Sequence, residues 1–169
     1  DSNIIDKVIN LWLKNPSKYD YVSNYHPPTF PDGLDVEGCS IEILEDAWVH
    51  ADKDYEREHT FPYIWDNPDK FKIGNIVNKY GNMFTTHRWT LDYDEDYIFL
   101  KKIFTNFANN LNFKMKDVLD FLSENPEMVG INSKYNGVNW YKNVEGELNT
   151  VDRFQYKKEK NIINLEKSL

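Results

Sequence analysis

The chain has 169 residues, a formal net charge of −8 at pH 7 and one cysteine. This length suits one domain with a substantial core, and the acidic charge argues against a broad nucleic-acid-binding surface, which would be basic. The single cysteine excludes an internal disulfide framework, and neither a signal-peptide pattern nor an apolar run of about 18 residues occurs, so we expect a cytoplasmic protein without a membrane partner.

The first part of the chain mixes helical and extended patterns. Apolar residues recur at helical spacing from Ile4 until Pro16 closes the segment, and Ser40 is the expected N-cap of a later helix. In chain order the predictions are a helix over residues 3–14, a strand over 19–25, a proline-rich loop over 26–33, a strand over 34–40 and a helix over 41–51.

The second part continues the same mixture. The predictions are a helical segment over residues 52–71 that Pro62 kinks or restarts, a strand over 71–78 with a bulge at Gly74, a loop over 79–86, a strand over 88–91, and helices over 94–111 and 115–126. The expected buried face of the longer helix consists of Tyr97, Leu100, Phe104, Phe107 and Leu111. The periodic signal fades after Gly130, and the charged tail over 157–169 is predicted to be a frayed helix. Interleaved strands and helices predict an α/β fold with a mixed sheet.

The segment PDGLDVE carries the first candidate site. Asp35 and Glu37 are two positions apart, so on a strand they share a face and can accept hydrogen bonds from sugar hydroxyls. The alternative is a turn feeding a strand, with solvated acids.

The segment EREH carries the second candidate site. Arg57 can bind a carboxylate or phosphate in bidentate fashion beside His59, or the segment is an ion-paired, solvated helix face. The histidines show no zinc-like spacing with one another or with Cys39, which we interpret as a small core residue.

The segment HRWTLDYDEDY places four acids in five positions. Asp92 and Glu95 have the spacing of a capping box, and Asp94 and Asp96 suit the positive end of a helix. Alternatively, Asp92 points into a cleft and binds Mg²⁺, which needs only one or two protein carboxylates beside substrate phosphates and water.

Taken in order, several segments resemble one protein family. They are DYVSNYHPPTFPDGLDVE, IEILEDAW, REHTFPYIWDNPDKFKIGNI, HRWTLDYDEDYIFLKKIF and DVLDFLSENPEM. Their order and spacing resemble the spore-coat-polysaccharide type cytidylyltransferases, relatives of the CMP-sialate and CMP-KDO synthetases. The resemblance covers residues 1–132, and residues 133–169 are then a C-terminal extension.

The resemblance implies a nucleotide-diphospho-sugar transferase fold, a Rossmann-like three-layer α/β/α arrangement around a mixed sheet. It implies transfer of CMP from CTP to an acidic sugar with Mg²⁺, for surface polysaccharide synthesis. The nucleotide loop and a first metal aspartate of the family precede the segment that Asp1 begins. The chain therefore resembles the C-terminal two-thirds of the domain, and we expect it to bind CTP and magnesium weakly or not at all. Family members often form homodimers, although the sequence shows no interface.

Carried over by position, the resemblance implies that Asp92 is a magnesium ligand. It also implies that Arg88 and Arg57 orient the carboxylate or phosphate of the substrate. It also places three residues near the sugar pocket: Asp35, Glu37 and His59. One departure is Asp94, where the family commonly has proline.

Two further hypotheses stay open. One is a non-catalytic sugar-binding or assembly module derived from this fold, and the other is a nucleotidyltransferase that uses another base.

Overall fold

The computed structural model describes residues 1–151 and the backbone of residues 163–167. The helices are α1 (Ser2–Leu13), α2 (Ile41–His50), α3 (Asp54–Glu58), α4 (Pro62–Trp65), α5 (Asp94–Asn106) and α6 (Met115–Glu124). The strands are β1 (Tyr21–Ser23), β2 (Glu37–Cys39), β3 (Ile73–Val77) and β4 (Ile163–Lys167). Short 3₁₀ helices occupy Pro126–Gly130, Ser133–Tyr135, Trp140–Asn143 and Glu145–Glu147.

The strands form one small mixed sheet in the order β2-β1-β3-β4. β1 pairs antiparallel with β2 and parallel with β3, and β3 pairs parallel with β4. Parallel neighbours need a crossover connection, and α2, α3 and α4 lie in the chain between β1 and β3. The predicted mixed α/β class is confirmed.

Three clusters of buried side chains hold these elements together. One packs Ile4 and Val8 of α1 against the sheet, and another joins Phe99 and Ile103 of α5 to α6. The third includes Tyr21, Trp65 and Ile73 together with residues from late in the chain, which are Tyr141, Leu148 and Val151. Residues 141–151 thus contribute side chains to the core.

Several predictions are confirmed in detail. α1, α2 and the first three strands lie where the sequence patterns placed them. The Ser40 side chain caps α2 by accepting from the Ile43 amide, and Pro62 begins α4. Proline suits a first helical turn because its missing N–H would have no intrahelical partner there.

Four local predictions were wrong. Residues 88–91 form no strand, because Arg88 makes a single bridge to Asp32. The register across Gly74 is unbroken, so there is no bulge; the glycine is needed because a Cβ there would lie 2.8 Å from the Tyr19 ring.

The other two errors concern α5 and the tail. α5 ends at Asn106 and buries Asp96, Phe99 and Ile103, while Tyr97, Phe104 and Leu111 of the predicted face are exposed. Within the tail, residues 163–167 form strand β4 rather than a frayed helix. The remainder of that prediction, residues 157–162 and 168–169, lies outside the described residues.

No helix among the described residues is long and apolar enough to cross a membrane.

Candidate functional site

A cavity of about 440 Å³ gathers most of the candidate residues. Its walls come from the loop between β1 and β2, the junction of α3 and α4, the segment before α5, and the turn before residue 140. The lining residues are Tyr25, Asp32, Asp35, Glu37, Glu58, His59, Thr60, Phe61, Pro62, Trp65, Phe84, Arg88, Thr90, Asp92, Val138, Asn139 and Trp140. Of the residues predicted from the sequence, five therefore meet here: Asp35, Glu37, His59, Arg88 and Asp92.

Arg88 is buried at the base of this cavity and binds three carboxylates. Its Nη1 donates to Asp32 Oδ2 at 2.9 Å, its Nη2 donates to Asp92 Oδ2 at 2.6 Å, and its Nε donates to Asp96 Oδ1 at 3.0 Å. Tyr93 and Tyr135 stack on each other and both lie beside the guanidinium. The positive charge of Arg88 is thus already shared among aspartates.

Asp96 connects the guanidinium to the start of α5. Its Oδ2 accepts from the backbone amides of Asp92 and Tyr93 at 3.1 Å each, and its Oδ1 accepts from Asn132 Nδ2 at 2.8 Å. Although burial alone would raise its pKa, the hydrogen bonds from Arg88 and Asn132 hold the pKa of Asp96 below its usual value.

The predicted capping box was therefore assigned to the wrong pair. Asp96, at the third position of α5, caps the backbone of Asp92 and Tyr93, whereas Glu95 binds Lys134 Nζ at 2.5 Å. The reason is that α5 begins at Asp94, so the side chain three positions after its N-cap is Asp96.

Three other carboxylates face the cavity with altered acidity. Burial raises the pKa of Asp32 to about 6, although the positive charge of Arg88 acts to lower it. Burial raises the pKa of Glu37 to about 7, although the Tyr21 hydroxyl donates to its Oε1. Asp35 reaches solvent in the cavity, yet the surrounding protein desolvates it and raises its pKa to about 6.

Aromatic residues form another part of the cavity lining. His59 stacks on Trp140 with ring centroids 3.8 Å apart, and Phe61 and Trp65 continue this surface. The Tyr25 hydroxyl donates to Asn139 Oδ1 at 2.9 Å. Within the described part of the chain, Asn139 Nδ2 is shielded from solvent and has no acceptor.

Arg57 is not brought to this cavity. It is exposed, its guanidinium lies 4.6 Å from the Trp48 ring, and its Nη1 donates to the Trp48 carbonyl at 2.7 Å. Arg57 lies in the last turn of α3, whereas His59 follows the end of that helix with an extended backbone, so the two side chains project in different directions.

Among the residues that line the cavity, Asp92 is the candidate ligand for a magnesium ion. No group of three or more histidine, cysteine, aspartate or glutamate side chains is arranged to hold a metal ion within the described ranges. Asp92 Oδ2 accepts a hydrogen bond from Arg88 Nη2, and the Asp92 side chain is 60% exposed. One carboxylate oxygen suits an ion whose other ligands are substrate phosphates and water.

Sequence reasoning missed several residues of this site. Asp32 was not among the candidate site residues, and Asp96 was interpreted as a helix-start charge. Asn139 and Trp140 lie in a segment without periodicity, where no local signal indicates a contact with His59.

The comparisons with known proteins agree with the family resemblance at the level of the fold. No protein-family model matches the chain. Over 130 residues it is 33% identical to the uncharacterized protein MJ1063 of Methanocaldococcus jannaschii, covering 77% of this chain and 51% of that protein. It also matches a solved structure of a cytidylyltransferase from Leptospira borgpetersenii serovar Hardjo-bovis, with 31% identity and a TM-score of 0.70, covering 76% of this chain and 53% of that one. The chain thus spans about half the length of both relatives.

Proposed function

We propose that this chain forms the acceptor-binding part of a cytidylyltransferase, which transfers CMP from CTP to a sugar hydroxyl. The observation that carries the proposal is the fold match at 31% identity to a cytidylyltransferase, together with one cavity that contains five of the six predicted site residues. The Rossmann-like three-layer arrangement, the role in polysaccharide synthesis and the homodimer belong to the same proposal.

The reaction is an in-line displacement at the α-phosphorus of CTP. The acceptor oxygen forms a new bond to that phosphorus, the bond to the β-phosphate oxygen breaks, and pyrophosphate leaves with the electron pair. The proton of the acceptor hydroxyl passes to a carboxylate of the cavity. Glu37 suits this role because its raised pKa of about 7 lies near the working pH of a general base.

The remaining residues bind and orient the acceptor. The aromatic rings of the lining, His59 and Trp140 among them, can contact the apolar face of a sugar ring, and Asp35 can accept from sugar hydroxyls. Arg88 holds Asp92 by its Oδ2 and so acts as a positioning residue. Asp92 is the residue that would hold Mg²⁺, which would offset charge on the phosphates when bound.

The test is pyrophosphate release from CTP, measured on the full-length gene product with a panel of sugars, because the chain spans about half of each relative. We expect Asp92→Asn to lower kcat by at least ten-fold while folding is retained. The matched control is Asp94→Asn, an exposed acid two positions away that does not line the cavity. Activity unchanged in Asp92→Asn would refute the metal role.

Two rival functions give different results in the same assay. A binding or assembly module would bind sugar without releasing pyrophosphate. A nucleotidyltransferase for another base would release pyrophosphate from a different nucleoside triphosphate and not from CTP.

A further inference from the structure

Asn132 is a buried residue that does not line the cavity but binds two residues at its base. Its side-chain Nδ2 donates to the Arg88 carbonyl oxygen and to Asp96 Oδ1, each at 2.8 Å. The two N–H groups of this amide therefore serve two buried acceptors. These acceptors lie 44 and 36 positions earlier in the chain, so a late segment reaches both members of the buried Arg88–Asp96 ion pair.

The Arg88–Asp96 ion pair in turn holds Asp92 at two points. Arg88 Nη2 donates to Asp92 Oδ2 at 2.6 Å, and the Asp92 backbone amide donates to Asp96 Oδ2 at 3.1 Å. Arg88 and Asp96 are 4% and 0% exposed, whereas the Asp92 side chain is 60% exposed. An exposed carboxylate can adopt several rotamers, so its direction depends on the buried groups that bind it.

Other residues of the same segment attach it to the protein without Asn132. Lys134 Nζ binds Glu95 Oε1 at 2.5 Å, and Asn136 Nδ2 donates to the Thr86 carbonyl at 3.0 Å. Both contacts are exposed, whereas the two bonds of Asn132 are buried. The position of the Asn132 amide on both members of the ion pair therefore indicates a role in arranging that pair, beyond attachment of the segment.

We propose that Asn132 is a positioning residue: its two hydrogen bonds hold Arg88 and Asp96 together, and through them fix the direction of the Asp92 carboxylate at the cavity. This inference rests on the proposed function in taking Asp92 as the residue that would hold Mg²⁺. Hydrogen-bonded groups behind a metal ligand orient it, and their removal typically costs about 10–100-fold in metal affinity or activity.

A double-mutant cycle in the pyrophosphate assay on the full-length gene product tests the dependence on Asp92. Asn132→Ala should lower kcat about ten-fold and leave KM for the sugar within about two-fold. In the Asp92→Asn background the same change should alter kcat by less than about two-fold, because the carboxylate that Asn132 positions is gone. In the Asp94→Asn background, the matched control, the full ten-fold loss should persist.

Amide hydrogen exchange, without nucleotide or metal, gives a readout besides activity. Asn132→Ala should accelerate exchange at least ten-fold at the Asp92 and Tyr93 amides, which donate to Asp96, and leave the amides of β3 unchanged. Asn136→Ala is the control, because it removes a bond of the same segment but should change neither this protection nor kcat. Asn132→Ser should show the same effects at smaller size, and it replaces Asn132→Ala if that variant does not fold.

Three results would overturn the proposal: an unchanged kcat in Asn132→Ala, an undiminished ten-fold loss in the Asp92→Asn background, or unchanged exchange at the Asp92 and Tyr93 amides. These results are distinguishable from failure of the proposed function. Pyrophosphate release that Asn132→Ala leaves unchanged would refute the positioning role and retain the enzyme. Loss of amide protection in Asn132→Ala, in a protein that releases no pyrophosphate from CTP with any sugar, would retain the hold on Asp92 and refute the transferase.

Discussion

At the residue scale, the neighbouring acids Asp92, Asp94 and Asp96 look alike in the sequence but have different roles in the structure. Asp96 is fully buried, caps α5 and binds Arg88, while Asp94 is exposed. Asp92 keeps one oxygen on Arg88 and lies at the cavity. Charge pattern alone cannot separate these roles, because the difference is set by which carboxylate reaches a guanidinium from an earlier segment.

Glu37 gives a pH-dependent prediction at this scale. Its pKa is raised from 4.5 to about 7 by burial, so the folded protein keeps a proton that the unfolded chain has lost between those values. The free energy of unfolding of the wild-type protein therefore falls as pH rises from about 4.5 to 7, because the folded state becomes harder to deprotonate at Glu37 than the unfolded chain. Relative to wild type, Glu37→Gln should gain about 1–3 kcal/mol of unfolding free energy across this range.

Urea unfolding at several pH values measures this difference. Glu45→Gln is the control, and because Glu45 is exposed its difference from wild type should stay near zero throughout. A Glu37→Gln difference that is constant with pH would show that burial does not disfavour the Glu37 charge.

At the scale of elements, the periodic segments were predictable and the contacts between them were not. α1, α2 and β3 follow from apolar spacing and from caps such as Ser40. The face of α5 was misjudged because Phe99 and Ile103 pack on α6, and the spacing of its apolar residues allows two faces. Asn139 and Trp140 reach the cavity through 3₁₀ turns, which have no amphipathic period to detect.

The loop that carries Asp32 depends on a glycine. Gly33 has a φ of 96°, and a Cβ there would lie 2.6 Å from the Thr90 backbone nitrogen. Gly81 has a φ of 95° with open space around it. Gly81→Ala should therefore cost about 1 kcal/mol from backbone strain alone, and Gly33→Ala roughly 2–4 kcal/mol because a backbone clash is added.

Thermal unfolding of the two variants compares these costs directly. In the wild-type chain the Trp89 amide donates to the Asp32 carbonyl at 2.7 Å. Gly33→Ala should also separate the segments that carry Asp32 and Arg88 and so weaken this hydrogen bond. Equal destabilisation by both substitutions would mean that the close approach to Thr90 does not constrain the loop.

At the scale of the whole molecule, a segment from late in the chain, around Asn149 and Thr150, packs against the core and hydrogen-bonds to the end of α4. Asp66 at the end of α4 is fully buried and accepts from the Asn149 and Thr150 amides and from the Thr150 hydroxyl at 2.8–2.9 Å. Thr150 Oγ1 in turn lies 3.0 Å from His26 Nε2. These contacts span more than 80 positions of sequence, so composition and periodicity contain no trace of them.

Asp66→Asn should weaken the hydrogen bonds that hold Asn149 and Thr150 against the end of α4. The amide group turns one acceptor into a donor facing other donors, and we expect a loss of roughly 2–4 kcal/mol in stability. Amide hydrogen exchange should accelerate first at Asn149 and Thr150. Asp69→Asn, an exposed acid nearby, is the control, and unchanged protection at Thr150 in Asp66→Asn would contradict the role of this carboxylate.

The stack of His59 on Trp140 also has an optical consequence. An indole in face contact with an imidazole is quenched to a degree that depends on the distance and charge of that ring. Because this indole lies in the cavity wall, any occupant that displaces His59 alters the emission of Trp140. The chain therefore contains an intrinsic fluorophore at its own candidate site, and occupancy can be followed without attaching a label.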